Sequence, residues 1–213
     1  MARQIGDRRS EGIWLGNLGR MHATLSESDP ALERYQAALQ IATAVGDRRH
    51  EALWMTNIGN VHLEDGRWGL ALASQEQAHE ISEEIGEKRI ALYASIARAS
   101  CHRLTGEIEL ARQHLVRADK LLEGYPLEDA RALMLCERGH LELHANRSAL
   151  QILGEVQSIA AEMTVGSGTW LARALDRITR AVAAHAKAEQ LCYGQCLEDV
   201  PHDAQRKVAQ ERE

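Results

Sequence analysis

Cys136, His140 and His144 stand four residues apart, and Cys101-His102 lie about one structural period earlier. Thiolate and imidazole are zinc ligands, and a helical i, i+4 pair can chelate. The outer two, however, lie about 12 Å apart along a helix axis, too far to share one ion. No metal centre is expected there, and the Cys192/Cys196 pair near the C-terminus is an equally weak signal. Val165-Gly166-Ser167-Gly168-Thr169 leads into a helix but lacks the lysine and spacing of a phosphate loop, and no strand precedes it. Carboxylate pairs such as Glu83-Glu84 belong to solvated faces, and no nucleophile elbow, HExxH or kinase signature occurs. Neither catalysis nor a cofactor is expected.

A different chemistry recurs. Arg9, Arg49 and Arg89 are forty residues apart, and so are Asn17 and Asn57. Arginine presents a planar fork of donors that suits carboxylates and peptide carbonyls. Asparagine offers a donor and an acceptor together, enough to hold a peptide backbone in register. Such residues act in concert only if something repeats the scaffold beneath them.

The composition says what that scaffold is. Of 213 residues 45% are apolar and 26% charged, as in ordinary folded chains, but only 4% are aromatic, with no Phe and 3 Pro. That balance argues for helix throughout and against a sandwich or barrel. A net charge of -6 gives no reason to expect nucleic acid. No apolar run approaches the roughly 20 residues that span a bilayer, and no signal peptide opens the chain. Four Cys without a CxxC pair fit a reduced, cytoplasmic protein.

Self-similarity supplies the architecture. Ile5-Gly6-Asp7-Arg8-Arg9 returns as Val45-Gly46-Asp47-Arg48-Arg49 and as Ile85-Gly86-Glu87-Lys88-Arg89. Trp14 and Trp54 share a register next to the seam between helices, where both are expected to pack. Small residues recur at Gly19, Gly59, Ala99 and Gly139, at Ala31, Ala71 and Ala111, and at Ala38, Ala78 and Ala118. Each unit reads as two helices; in the second they run from about Asp47 to Glu64 and from about Trp68 to Ile85. Antiparallel helices approach closely only where bulk is missing, which explains the recurrent Gly and Ala. One pair cannot bury its own apolar face, so such pairs stack and end in a cap.

Four pairs are therefore expected over residues 5–163, the fourth degenerate, with Ala149 in its second-helix small position and a tighter turn at Asn146. A capping helix over 167–187 follows, turning Leu171, Ala174, Leu175, Ile178 and Val182 inward and Arg173, Asp176, Arg177 and Arg180 to water. Residues 188–213 read as a polar, flexible tail. The first tag is expected at a junction between units, as if the array were cut at a repeat boundary, from a longer parent or by evolution of a short paralogue.

These residues resemble the tetratricopeptide repeat family in a forty-residue variety. The Gly-Asp-Arg tag with Asn17-Leu18-Gly19 or Asn57-Ile58-Gly59 is similar to the arrays of spindle-orientation adaptors and kinesin light chains. Leu135 to Ala184, with Cys136-Glu137-Arg138-Gly139-His140, resembles C-terminal arrays of large bacterial signalling proteins. The resemblance implies an all-α, right-handed superhelical solenoid that binds a protein or peptide along a concave groove lined by the first helix of each unit. Where the family commonly has Tyr, this chain has His22, His62 and His102, expected as interior imidazoles.

Counting along those first helices gives the groove residues: Arg9, Asn17 and Arg20, then Arg49, Thr56, Asn57 and Asn60, then Arg89, Ser100 and Arg103, and finally Glu137 and His140. The expected function is a non-enzymatic interaction module for an acidic peptide or helix, a scaffold or sensor arm in cytoplasmic signalling. The alternative is a regulatory segment of a larger bacterial signalling protein that binds its parent's catalytic domain or self-associates as a homodimer through its exposed terminal repeat.

Overall fold

Ser26, Gly46, Gly66, Gly86 and Gly106, twenty residues apart, and Asn146, forty further on, take the left-handed backbone conformation, each at the end of a helix. At Gly46 the amide of Asp47 reaches back to the Ala42 carbonyl (2.8 Å) and that of Gly46 to the Thr43 carbonyl (3.2 Å). This is the Schellman geometry, which needs a positive φ after the last helical turn and so favours glycine. The same long bond runs from Arg67 to His62, from Glu87 to Ser82, from Glu107 to His102 and from Arg147 to Glu142. Regular reversals thus cut the helices that start at Ser28, Arg48, Trp68, Lys88 and Glu128 to 17 residues each.

The computed structural model describes residues 2–123, 127–163 and 169–198, with side chains over 7–123, 127–163 and 169–188. Within them the elements are α1 (Ala2–Thr24), α2 (Ser28–Ala44), α3 (Arg48–Glu64), α4 (Trp68–Glu84), α5 (Lys88–Leu104), α6 (Ile108–Leu122), α7 (Glu128–His144), α8 (Leu150–Glu162) and α9 (Trp170–Glu198). They form an all-α helical-repeat solenoid, each odd-numbered helix from α1 to α7 followed by an antiparallel partner. The Gly166 to Gly168 loop, the residues from 199 onward and the Cys192 and Cys196 side chains lie outside the described residues.

Small residues do what the spacing implied. Gly19 lies against the Tyr35 ring, and a Cβ there would sit 2.9 Å from it. Gly59 lies against Gln75, whose side-chain amide donates to the Thr56 carbonyl (3.0 Å) and the Asn60 side chain (2.9 Å). At Gly139 the arrangement changes: its nearest neighbour is Ile178 of α9, with Ile152 of α8 behind. The buried core runs continuously from Leu92 and Leu115 through Leu133, Leu141 and Val156 to Leu171, Ile178 and Val182.

Four expectations need correction. The first Gly-Asp-Arg tag is not a junction, because α1 passes through it as continuous helix. Trp54 is buried on Gly16 of α1, but Trp14, in the same register, is 73% exposed, since among the described residues no helix lies against it as α1 lies against Trp54. The link after α7 is longer, not tighter. Asn146 closes α7, and the two missing residues come from the first turn of α8, which starts only at Leu150. Last, α9 continues to Glu198, past Lys187.

Candidate peptide groove

The tag residues interlock from unit to unit. Arg9 Nε donates to Asp47 Oδ2 (2.6 Å), and Arg49 Nε donates to Glu87 Oε2 (2.8 Å), each spanning 38 residues. Asp47 also accepts from the His50 amide, capping α3 (3.2 Å). Burial would push the carboxyl up, but Arg9 and His50 hold it below the ordinary value. In the same register Arg89 would meet residue 127, and that residue is Leu127, packed on the core. Arg89 therefore makes no ion pair among the described residues. Its guanidinium instead lies over the Tyr93 ring, 5.9 Å from the centroid, a cation–π distance.

Arg89 opens into a cleft of about 820 Å³ on the concave side. Six of the twelve expected groove residues line it: Arg20, Arg49, Thr56, Asn57, Asn60 and Arg89. Tyr35, Tyr93, Trp170 and Met21 add aromatic and apolar wall. The carboxylates of the lining are already engaged. Glu64 receives Arg177 (2.8 and 3.0 Å) and Arg173 (3.2 Å), Asp65 accepts from Ser28 (2.6 Å), and Asp129 accepts from the Tyr93 hydroxyl. Burial pushes the Tyr35 phenol up to about 12, and burial with Asp129 pushes Tyr93 up as well, so both stay neutral donors. Positive charge at Arg20 and Arg89 is left without a carboxylate partner among the described residues.

The other six expected residues are not in this cleft. Arg9 is held by Asp47, and Asn17 sits half-buried on α1 outside the lining. Ser100 is buried and donates to the Ile96 carbonyl (3.3 Å). Arg103 and Glu137 form a buried ion pair (2.7 Å). Complete burial alone would raise the Glu137 carboxyl, but Arg103, His140 and Ser100 bring it below its ordinary value. Beside them His140 is pulled down to about 4 by burial and by Arg103.

Two helix faces explain that crowding. α9 turns Leu171, Ala174, Ile178 and Val182 onto α7, as its apolar spacing implied. Arg173 and Arg177, only partly in water, both reach Glu64 at the end of α3, and Arg173 also donates to the Ala23 carbonyl of α1 (3.4 Å). Asp176 and Arg180 do remain outside, paired with each other. The chain's own last helix thus fills the groove beside α7. Periodicity located the apolar face of α9 but carried no signal for which way its arginines point, so Trp170 and Arg173 were missed as cleft residues.

The chemistry of the thiols and imidazoles is quiet. Burial pushes Cys101 and Cys136 up to about 12, leaving them protonated and unreactive near neutral pH. His22 and His102 bond through Nδ1 to carboxylates five residues on, Glu27 (2.6 Å) and Glu107 (2.7 Å). His62 has Arg67 in that slot, and its buried Nδ1 has no partner. Among the described residues no group of three or more His, Cys, Asp or Glu is placed to hold a metal ion, and no helix is long and apolar enough to cross a membrane.

No curated protein matches the chain. Residues 48–124, from the start of α3 to just past α6, match the family model of the tetratricopeptide repeat. That family generally mediates protein–protein interaction and is typically non-enzymatic. The helix pairs, the glycine-closed turns and the small residues at the crossings are the physical content of that match: residues 48–124 carry tetratricopeptide repeats.

Proposed function

We propose that the concave cleft binds an acidic peptide or the acidic face of a helix, and that the ligand's carboxylate docks on Arg89. The missing rung carries this reading. Two guanidiniums of the ladder are met by carboxylates of the next unit, whereas the third has Leu127 in that register and lies over Tyr93, so a ligand acid fits where the described residues supply none. Arg20 reinforces the charge, Asn57 offers a donor and an acceptor to a peptide backbone, and Tyr35, Met21 and Trp170 give apolar contact. The whole chain is acidic, so attraction is local to the cleft and falls as salt rises. In the cell this makes the chain a scaffold or sensor arm of cytoplasmic signalling.

A randomised dodecapeptide library displayed on phage and panned against the full chain tests this. Enrichment of Asp and Glu, lost on an Arg89→Glu, Asn57→Ala variant with an unchanged circular-dichroism melt, is the expected outcome. Peptides without acidic enrichment, or equal recovery by both proteins, would sink the assignment.

A second reading is self-association, or a regulatory segment of a larger bacterial signalling protein. One observation favours it: Trp14, Met21 and Leu25 stand largely exposed on a single face.

A further inference from the structure

We propose that α1 is a dimerisation helix, on which two copies of the chain meet face to face with their α1 helices antiparallel. The inference rests on the self-association reading and gives it a surface and a symmetry.

Trp14, Leu18, Met21 and Leu25 are spaced four, three and four residues apart. Leu25, one residue past α1, keeps the helical bond to the Met21 carbonyl (3.1 Å), so at 100° per residue the four fall within an arc of about 60° on one side of the helix. Their exposures are 73%, 39%, 63% and 68%. On the opposite side the buried residues are Gly12, Gly16 and Gly19, packed on Ile41, Trp54 and Tyr35. The helix therefore turns its small residues inward and its large apolar ones outward, the reverse of an ordinary surface helix.

The repeat says what such a face meets. Forty residues on, the positions of Trp14, Leu18 and Met21 are Trp54, Ile58 and Val61, all buried in one cluster with Ala31, Leu32 and Tyr35 of the preceding pair. The register of the stripe is the interface between units, and its chemistry suits another helix pair of the same kind. A second copy cannot offer its far end for this, because α9 buries its apolar stripe on α7 and shows Asp176 and Arg180 to solvent. What a second copy does offer is the same bare face. A symmetric pair covers both faces at once and closes the assembly. Spacings of four and three are those of a coiled-coil seam. Centring the antiparallel pair between Leu18 and Met21 sets Leu18 against Met21 of the second copy and Trp14 against its Leu25, the largest side chain facing a smaller one. Four side chains form less than the roughly 800 Å² per partner of a standard interface, so the dimer dissociates on dilution.

Sedimentation velocity of the full chain over a wide concentration range is the test. The expected result is a mass that rises with concentration to twice 23.7 kDa and stops there. Trp14→Asp and Leu25→Asp should each remain monomeric with an unchanged circular-dichroism melt, since both side chains are mostly in water already. Leu110→Asp, an exposed leucine on α6, should dimerise like the wild type. A wild-type dimer that both α1 variants preserve would keep self-association and overturn this interface. Growth beyond two copies would overturn the symmetry. A wild type that is monomeric at every concentration would overturn the interface and the self-association reading together.

Discussion

The two halves of the concave face are built from helices in one register, yet they end in opposite states. Along α1, α3 and the start of α5 the inner residues line an open cleft, with Arg20 and Arg89 paired with no carboxylate among the described residues. Along the end of α5 and α7 inner-face residues are packed away, Arg103 paired with Glu137 while α9 packs on α7. The difference lies in what the neighbouring segment supplies. Where residue 137 is Glu, a guanidinium one unit earlier becomes structural; where residue 127 is Leu, it stays available. A repeated motif is therefore a set of equivalent positions, and each acquires its role from the residue it meets across the unit boundary.

The filled half should break first and hardest. Glu137→Ala leaves the Arg103 guanidinium largely buried without its counter-ion, and removing one partner of a buried pair costs about 3–5 kcal/mol. Chemical denaturation of this variant should show that loss. Retention of wild-type stability would mean that water or another acid takes the place of Glu137. Ile178→Ala empties the space against Gly139 and should cost about 2–4 kcal/mol, with α9 loosening before the N-terminal pairs. Hydrogen exchange can follow this helix by helix. Uniform acceleration across the chain would contradict a separately seated α9.

How much of this could be read from the residues alone is clearest at particular positions. The glycine tags and crossing residues announced helix pairs to within a residue or two, because backbone sterics and close approach admit few alternatives at Gly46, Gly59 or Gly86. Trp14 shows where that logic stops. It matches Trp54 in type and register, but burial depends on a neighbour, and register does not reveal whether one is present. Of the residues counted onto the inner face, Arg49, Asn57 and Arg89 line the cleft, while Arg103, Glu137 and His140 do not. Periodicity could count residues onto the inner face of α7. It could not reveal that α9, after a break in the pattern, folds onto that face and sends Arg173 and Arg177 to Glu64.

Acid sharpens the contrast less strongly. His140 in the filled half and His114 between α5 and α6 are both held down to about 4, chiefly by burial. His114 stacks on His102 at 5.1 Å and also feels Arg98, His79 and Arg117. Since the unfolded imidazole titrates near 6.5, the unfolded chain takes up protons first. Stability contributed by these groups is therefore whole above about pH 6.5 and declines as pH falls toward 4. A melting temperature that stays flat between pH 7 and 4.5 would contradict this. The tags of the open half, with Asp47 held ionised by Arg9 and His50, should keep their pairs over that range.

The central claim is that Arg89 is the ladder's open rung. Calorimetric titration of a library-selected acidic peptide into the wild-type chain and into Arg89→Ala tests it most directly. At least a tenfold loss of affinity, about 1.4 kcal/mol, is predicted, with the same melting temperature for both proteins. Equal affinities would contradict the account and move the binding surface away from the cleft.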